Sequence, residues 1–249
     1  MSCSPYVQIK EKREKEKTMQ TIGFIGAYDK TDLILYLAKI LTTLNYKVLM
    51  VDSTITQKAR YIVPSINPTQ KYITEFEKID VAVGFDNFLD IKNYIGINDV
   101  VPLEYDIALV DLDRPENVIK FNSINNNKNY FVTAFDVYSL KRGLEALTEL
   151  KEPIKLTKIL FSKDMLKEEN EYLDFLALGY KIEWEELKLC FPLEIGDKSV
   201  IMENQVIARI KLKNLSEQYK EGLTYLVEDI TKESIQNIRK AFKTIEREG

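Results

Sequence analysis

A strand, a loop, a helix and a second strand follow one another near the start of the chain, and together they span roughly thirty residues, the length of a βαβ unit. Residues 21–25 (TIGFI) are β-type sequence, and residues 32–44 place leucine and isoleucine at the three- and four-residue spacing of a helix. The second strand, residues 48–51 (VLMV), is apolar throughout and is followed by Asp52. Because continuously apolar strands are typical of parallel sheets covered on both faces, this unit predicts such a sheet.

The same alternation of strands and helices continues to the end of the chain. Further strands are predicted at residues 72–76, 81–83, 105–111, 130–133, 158–161 and 187–190. Further helices are predicted at residues 87–95, 116–124, 139–150, 171–178, 216–230 and 232–246, with an asparagine-rich turn at residues 125–129. No linker rich in glycine, proline or serine divides the sequence. The pattern predicts a single α/β domain at residues 19–249, with three layers and a mostly parallel sheet.

The composition excludes several kinds of active site. The chain has 249 residues, of which 45% are hydrophobic and none is histidine. Serine–histidine and cysteine–histidine nucleophile pairs and most zinc sites are therefore excluded. The 35 lysines and arginines against 39 aspartates and glutamates give a net charge of −4, so no nucleic-acid partner is predicted. The two cysteines, Cys3 and Cys190, cannot form a disulfide framework, and Cys190 is predicted to be a core residue of its apolar strand.

The first 18 residues are expected to lie outside the fold. Residues 10–17 (KEKREKEK) mix both charges without an apolar face, which is typical of a solvated tail or a frayed helix. A second hypothesis is that translation starts at Met19, because purine-rich codons just before a methionine are what a bacterial ribosome-binding site gives when it is translated in frame. No signal peptide and no apolar run of the roughly 18 residues that cross a membrane are present, so a cytoplasmic location is expected.

Three features lie at the carboxyl ends of predicted strands, where open parallel sheets bind ligands. They are the loop at residues 26–31 (GAYDKT), Asp52 and Asp111. A strand-to-helix loop presents backbone N–H groups and the positive end of a helix dipole to phosphate. Lys30 and Thr31 match the lysine–threonine pair of a P-loop, in which the lysine reaches the β- and γ-phosphates and the hydroxyl binds Mg²⁺. The alternative is that these residues only cap helices and shape loops.

From Met19 to about Ile230 the chain resembles the ParA/MinD family of P-loop ATPases. The segments that resemble the family occur in its order: IGAYDKT where the family has KGGxGKT, then KVLMVDST, YDIALVDLDRP, NYFVTAFDVYSLKRGLEALTEL and a late segment that begins LCFPLEIGD. The resemblance implies a sheet of P-loop NTPase type and dimerisation. It implies a Mg·ATP site with Thr31 and Asp111 on the metal and these residues on the nucleotide: Gly26, Lys30, Thr31, Asp52 and Asp111.

Departures from the family pattern predict a degraded site. Ile25 stands where the family has its signature lysine, and an isoleucine cannot neutralise phosphate charge. Asp29 replaces the glycine before Lys30, and a carboxylate about 5 Å from a phosphate charge costs roughly 3 kcal/mol at an effective dielectric near 20. An ion pair between Asp29 and Lys30 would reduce that cost but divert the lysine. Ala27 for glycine and Ser162 for asparagine are further changes. Weak or no binding of Mg·ATP is therefore predicted.

The C-terminal helix suggests a different kind of function. Its apolar residues recur at three- and four-residue spacing among basic ones, at Ile235, Ile238, Phe242 and Ile245. MinD-like proteins bind membrane through a helix of this character, so residues 231–249 are a candidate for peripheral membrane binding. The alternative is a helix folded back on the sheet or against a partner, which the acidic residues Glu233, Glu246 and Glu248 favour.

Three hypotheses of function follow. The preferred one is a catalytically degenerate ParA/MinD-like protein that acts as a scaffold, positioning or regulatory partner within a larger protein assembly, with the TadZ/CpaE branch of pilus localisation as the preferred analogue. The second is a slow but working Mg·ATP-dependent switch. The third is a membrane-associated structural adaptor whose ancestral site is filled by Tyr28 and Asp29.

Overall fold

A computed structural model describes residues 19–66, 69–122, 127–162 and 167–248, and the predictions for residues 1–18 lie outside this part of the chain. The described strands are β1 (Gln20–Ile25), β2 (Val48–Asp52), β3 (Tyr72–Phe76), β4 (Ile79–Val83), β5 (Ile107–Leu112), β6 (Asn127–Ala134), β7 (Ile154–Ser162) and β8 (Ile182–Pro192). The described helices are α1 (Thr31–Thr43), α2 (Ala59–Ile62), α3 (Phe88–Tyr94), α4 (Pro115–Asn122), α5 (Val137–Glu145), α6 (Lys167–Ala177), α7 (Ile195–Val206), α8 (Glu217–Thr231) and α9 (Ile235–Glu248).

The eight strands form one sheet in the order β3-β4-β2-β5-β1-β6-β7-β8. All neighbouring strands are parallel except β3, which pairs antiparallel with β4. Helices cover both faces, because each face carries its own apolar core. One core joins the sheet to α1, α8 and α9, and the other joins it to α3, α4, α5 and α6. The predicted three-layer α/β fold with a mostly parallel sheet is confirmed.

The register of the central strands brings two acids to one edge of the sheet. β2 pairs with β5 so that Asp52 lies opposite Asp111, and β1 pairs with β5 so that Phe24 also lies opposite Asp111. Both carboxylates are buried at the carboxyl ends of their strands. The loop that follows β1 ends at the same edge, because parallel strands end together. The sheet therefore brings the sequence-predicted site residues to one place.

The helix α9 is folded back on the protein. Its residues Ile238, Phe242 and Ile245 are buried in the core shared with α1 and α8. The apolar face on which the membrane hypothesis depends is therefore already covered, and Ile235 alone among the four predicted positions is exposed. Within the described ranges, no helix is both long enough and apolar enough to cross a membrane.

Three sequence predictions differ from the structure. The helix α7 was not predicted, because it buries Asp197 and Asn204 and carries apolar residues both against the core and on its exposed side, so it lacks the usual single apolar face. Cys190 is exposed and not a core residue. It lies on the edge strand β8, where alternation turns it outward between the buried Leu189 and Phe191. The turn predicted at residues 125–129 is wrong for its last three residues, since β6 begins at Asn127 by pairing with β1.

Candidate functional site

The loop at residues 26–31 begins with a turn that requires glycine. Gly26 has a φ of +144°, and a Cβ placed on it would lie 2.2 Å from the carbonyl oxygen of Val132. Any other residue would clash with the backbone of β6 and adopt an unfavourable left-handed conformation. The close approach holds the start of the loop against the neighbouring strand.

Lys30 occupies the N-cap position of α1, and two groups of the same chain contact its ammonium group. The side chain is buried, and its Nζ donates a hydrogen bond of 2.7 Å to the carbonyl oxygen of Gly26. The same Nζ lies 2.6 Å from the carboxylate Oδ1 of Asp111. A phosphate would have to compete with both contacts for this ammonium group.

Asp111 is fully buried near the end of β5, and its ionisation depends on its neighbours. Burial raises the pKa of Asp111 to about 7, because the charged form is poorly solvated in the protein interior. The ammonium group of Lys30 opposes this rise, whereas the nearby carboxylate of Asp52 adds to it. At neutral pH, the Lys30 ammonium is therefore the main group that favours a charged Asp111.

Asp52 lies at the end of β2 and holds the loop that follows this strand. Its Oδ1 accepts hydrogen bonds from the backbone N–H and the hydroxyl of Thr54, at 3.1 and 2.7 Å, and its Oδ2 accepts one from the N–H of Ala59 at 2.9 Å. These three hydrogen bonds stabilise the loop and engage both oxygens of the carboxylate. This geometry favours the alternative that Asp52 shapes a loop.

Asp29 lies at the wall of the cavity that follows β1, partly exposed, and pairs with a lysine that the sequence did not indicate. Its Oδ1 accepts a hydrogen bond of 3.3 Å from the backbone N–H of Thr31, and its Oδ2 lies 2.5 Å from the Nζ of Lys58. The ion pair between Asp29 and Lys30 that the sequence left open does not form, because Lys30 is buried with Asp111. The charge of Asp29 is thus balanced from a different loop.

Lys58 joins three parts of the chain at this point. It precedes α2, and its Nζ also lies 2.6 Å from Asp32 in the first turn of α1. Burial by itself would lower the pKa of Lys58, but Asp32 and Asp29 together raise it. The amide of Gln205 on α7 donates to the same Asp32 carboxylate at 2.8 and 2.9 Å. A continuous set of polar contacts therefore links α7, α1, the loop after β1 and the start of α2.

Tyr28 leaves the centre of the loop and packs against β7. Its ring lies 4.7 Å from the ring of Phe161, centroid to centroid. Burial, with the charges of Asp29 and Asp136, raises the pKa of the Tyr28 hydroxyl to about 12, so the side chain stays neutral. The adaptor hypothesis expected Tyr28 and Asp29 to fill the site, but both lie at the wall of a cavity.

The cavity at this edge has a volume of about 400 Å³. Gly26, Lys30, Thr31 and Asp111 line it, and Asp52 does not, since it lies behind Thr54. The charged lining residues are three acids and three bases, so their formal charges cancel. These residues are Asp29, Asp111, Asp113, Lys30, Lys58 and Arg142.

Several of the lining residues were not identified from the sequence. Asp113, just after β5, accepts the backbone N–H of Ile55 at 3.0 and 3.1 Å, and burial raises its pKa. Tyr138 and Arg142 come from the first two turns of α5. This helix begins beyond the carboxyl end of β6, so its first turns face the same edge, which is the sequence signal that would have identified them.

Of the other three departures from the family pattern, Ala27 lines this cavity, whereas Ile25 and Ser162 lie outside it. Ile25 is fully buried in the core beneath α4 and α5 and does not line the cavity, so no side chain at this position reaches a ligand there. Ser162 ends β7 opposite Pro192, and its hydroxyl lies 3.1 Å from the carboxylate of Glu169. Within the described residues, no group of three or more aspartate, glutamate or cysteine side chains converges as a metal site would require.

No protein-family model matches the sequence, and no curated protein matches it at a significant level. Solved structures match its fold. A plasmid partition protein of Borrelia burgdorferi B31 bound to AMPPNP is 12% identical, with a TM-score of 0.53, and the match covers 91% of this chain and 98% of that one. A chain of the MinC:MinD cell division complex of Aquifex aeolicus is 13% identical over 87% of this chain and 97% of its own, with a TM-score of 0.52.

Another structure of a plasmid partition protein from Borrelia burgdorferi is 13% identical, with a TM-score of 0.53, over 85% of this chain and 99% of its own. At such identities a structural likeness shows only the fold. The fold of this chain is that of the ParA/MinD-type P-loop ATPases.

Proposed function

We propose that this protein is a catalytically degenerate ParA/MinD-like protein, which serves as a scaffold, positioning or regulatory partner in a protein assembly and binds Mg·ATP weakly or not at all. The observation that carries the proposal is the buried ion pair between Lys30 and Asp111. A P-loop lysine acts on the β- and γ-phosphates, and here its ammonium group is already neutralised.

The charges of the cavity support the same proposal. A triphosphate needs an excess of positive charge, and the three basic lining residues are offset by three acidic ones. Mg²⁺ would compensate the charge of Asp111, but Asp29 would remain beside the phosphates. A carboxylate about 5 Å away costs roughly 3 kcal/mol at an effective dielectric near 20, or about two orders of magnitude in affinity. The salt bridge to Lys58 reduces this cost only while that lysine stays in place.

The role as a partner within an assembly rests on two further points. Both apolar cores and the complete sheet are present although the loop has changed, which is what a scaffold function requires. One of the similar solved proteins is a member of a MinC:MinD complex, which supports a protein partner for this chain too. Homodimerisation and the TadZ/CpaE-like role remain predictions of the sequence.

The slow-ATPase alternative has one observation in its favour. Gly26, Lys30, Thr31 and Asp111 converge on an open cavity of about 400 Å³. The membrane-adaptor alternative has lost support, because the apolar face of α9 is buried in the protein.

Calorimetric titration of Mg·ATP into the full chain tests the proposal. We expect no measurable heat of binding for wild type and binding for Asp29→Gly, with Asp29→Asn in between because it removes the charge and leaves a side chain. Glu104→Gln, which alters an exposed acid far from the cavity, is the matched control and should behave as wild type. Micromolar binding by wild type would refute the proposal and favour the switch ATPase.

A further inference from the structure

The helix α7 exposes a row of large apolar side chains to solvent. Ile195, Met202 and Val206 are 84%, 65% and 86% exposed. They are spaced seven and four residues apart, so they lie on one side of the helix with Ser199 between them. Exposed apolar residues in a continuous row mark interaction surfaces.

Polar contacts on the opposite side fix the rotation of α7. The carboxylate of Asp197 accepts the backbone N–H and the hydroxyl of Ser216, both at 2.7 Å. The amide of Asn204 donates to the hydroxyl of Tyr36 at 2.6 Å and to the carbonyl oxygen of Lys211 at 2.8 Å. Rotating α7 to bury the apolar row would break these hydrogen bonds, so they keep the row on the exposed side of the helix.

The row has the heptad spacing of a two-stranded coiled coil. Ile195, Ser199, Met202 and Val206 are separated by four, three and four residues, which is the spacing of consecutive d, a, d and a positions. Lys198 then occupies the g position and Glu203 the following e position, one on each flank. Both are exposed, and neither forms an ion pair with another described residue.

These flanking charges determine which partner and which orientation fit. In a parallel pair of identical helices, the flank with Lys198 of one copy meets the flank with Glu203 of the other, and the symmetry gives two such ion pairs. In an antiparallel pair, Lys198 would meet Lys198 and Glu203 would meet Glu203. We infer that α7 is a self-association surface, on which a second copy of this chain packs its own α7 in parallel about a two-fold axis.

The exposed row does not line the cavity, so the inference does not require Mg·ATP to bind. Gln205 ties α7 to Asp32, which keeps the helix in a fixed position before association. A surface that is ordered in advance loses less conformational entropy when it binds.

Sedimentation equilibrium of the full chain, from roughly 1 to 200 µM protein, tests the inference. Wild type should form a dimer. Lys198→Glu and Glu203→Lys should each weaken it about tenfold, because both symmetric ion pairs become repulsions. The double charge swap should restore the wild-type affinity. A monomeric wild type, or a dimer that the single reversals leave unchanged, would overturn the inference.

A cross-linking experiment tests the parallel orientation independently. In a chain with Cys3→Ser and Cys190→Ser, Met202→Cys should form a disulfide between two copies on mild oxidation, since equivalent d positions face each other in a parallel pair. Leu178→Cys places a thiol at a comparably exposed position (80% for Leu178) on another helix end and should not cross-link. Equal cross-linking of the two variants would overturn the parallel arrangement.

Discussion

The substitution Lys30→Met tests the ion pair on which the proposed function depends. The side chain of methionine has a similar length, so it preserves much of the packing and removes the charge. In the wild-type protein the ammonium group of Lys30 lies 2.6 Å from the buried Asp111 and lowers the pKa of its carboxyl group, but the effect of burial is larger, so that this pKa is raised to about 7. Without Lys30, this pKa should rise further.

The expected effect appears as a pH dependence of stability. A carboxyl group whose pKa is higher in the folded than in the unfolded protein contributes stability at low pH, and this contribution decreases as the pH rises to the folded pKa. For Asp111 of the wild type this decrease occurs between about pH 4 and pH 7 and then levels off. In Lys30→Met the carboxyl group of the folded protein keeps its proton above pH 7, so the free energy of unfolding decreases by about 1.4 kcal/mol for each further pH unit.

Between pH 7 and pH 9, the free energy of unfolding of Lys30→Met should therefore decrease by about 3 kcal/mol relative to that of wild type. Any difference that does not depend on pH adds to this decrease. Urea unfolding at half-unit pH intervals measures this difference. Lys30→Met/Asp111→Asn removes the titrating group, so its stability should follow the wild-type pH dependence above pH 7. Lys47→Met, at an exposed lysine, controls for the loss of a positive charge.

If the free energies of unfolding of wild type and Lys30→Met change in parallel with pH above pH 7, the reasoning is refuted. Such a result would mean that the ammonium group of Lys30 does not hold the charge of Asp111, and the lysine would then be available to a phosphate.

Two other substitutions test how the fold holds the site and the C-terminal helix. Gly26→Ala should cost about 3 kcal/mol or more in urea unfolding, because its Cβ would lie 2.2 Å from a backbone oxygen at a φ of +144°. Gly96→Ala, at a φ of +73° with no atom within 4 Å, should cost only about 1 kcal/mol, and equal losses would contradict this account of Gly26. Phe242→Ala should cost about 3 to 5 kcal/mol, because its ring is buried between α9 and the core. A loss below about 1 kcal/mol would mean that α9 is not held on the protein.

The core of the sheet was predictable from the sequence because its strands carry a strong local signal. β1 from Ile22 onward, and β2 and β5 apart from Asp52 and Asp111, are apolar and buried on both faces, so neither the type nor the approximate bounds of these strands depended on distant residues. The sequence also placed Lys30 and Asp111 at one edge, since parallel strands end together.

Other elements had no such signal. The rotation of α7 depends on partners of Asp197 and Asn204 that come from α1 and from residues near α8. Apolar residues lie on both sides of this helix, since some pack against the core and others face outward, so the sequence shows no single buried apolar face. Cys190 lies in an apolar segment, but whether β8 is a central or an edge strand is decided by the order of the whole sheet.

The sequence by itself determined the fold class and placed Gly26, Lys30, Thr31 and Asp111 at the carboxyl edge of the sheet. Only the tertiary structure decided how their charges pair: Lys30 with Asp111, and Asp29 with Lys58. The physical reason is that the strength of an ion pair depends on distance and burial. Lys58 lies 29 residues from Asp29 along the chain, and the sheet brings the two charges together because the loops after β1 and β2 end at the same edge.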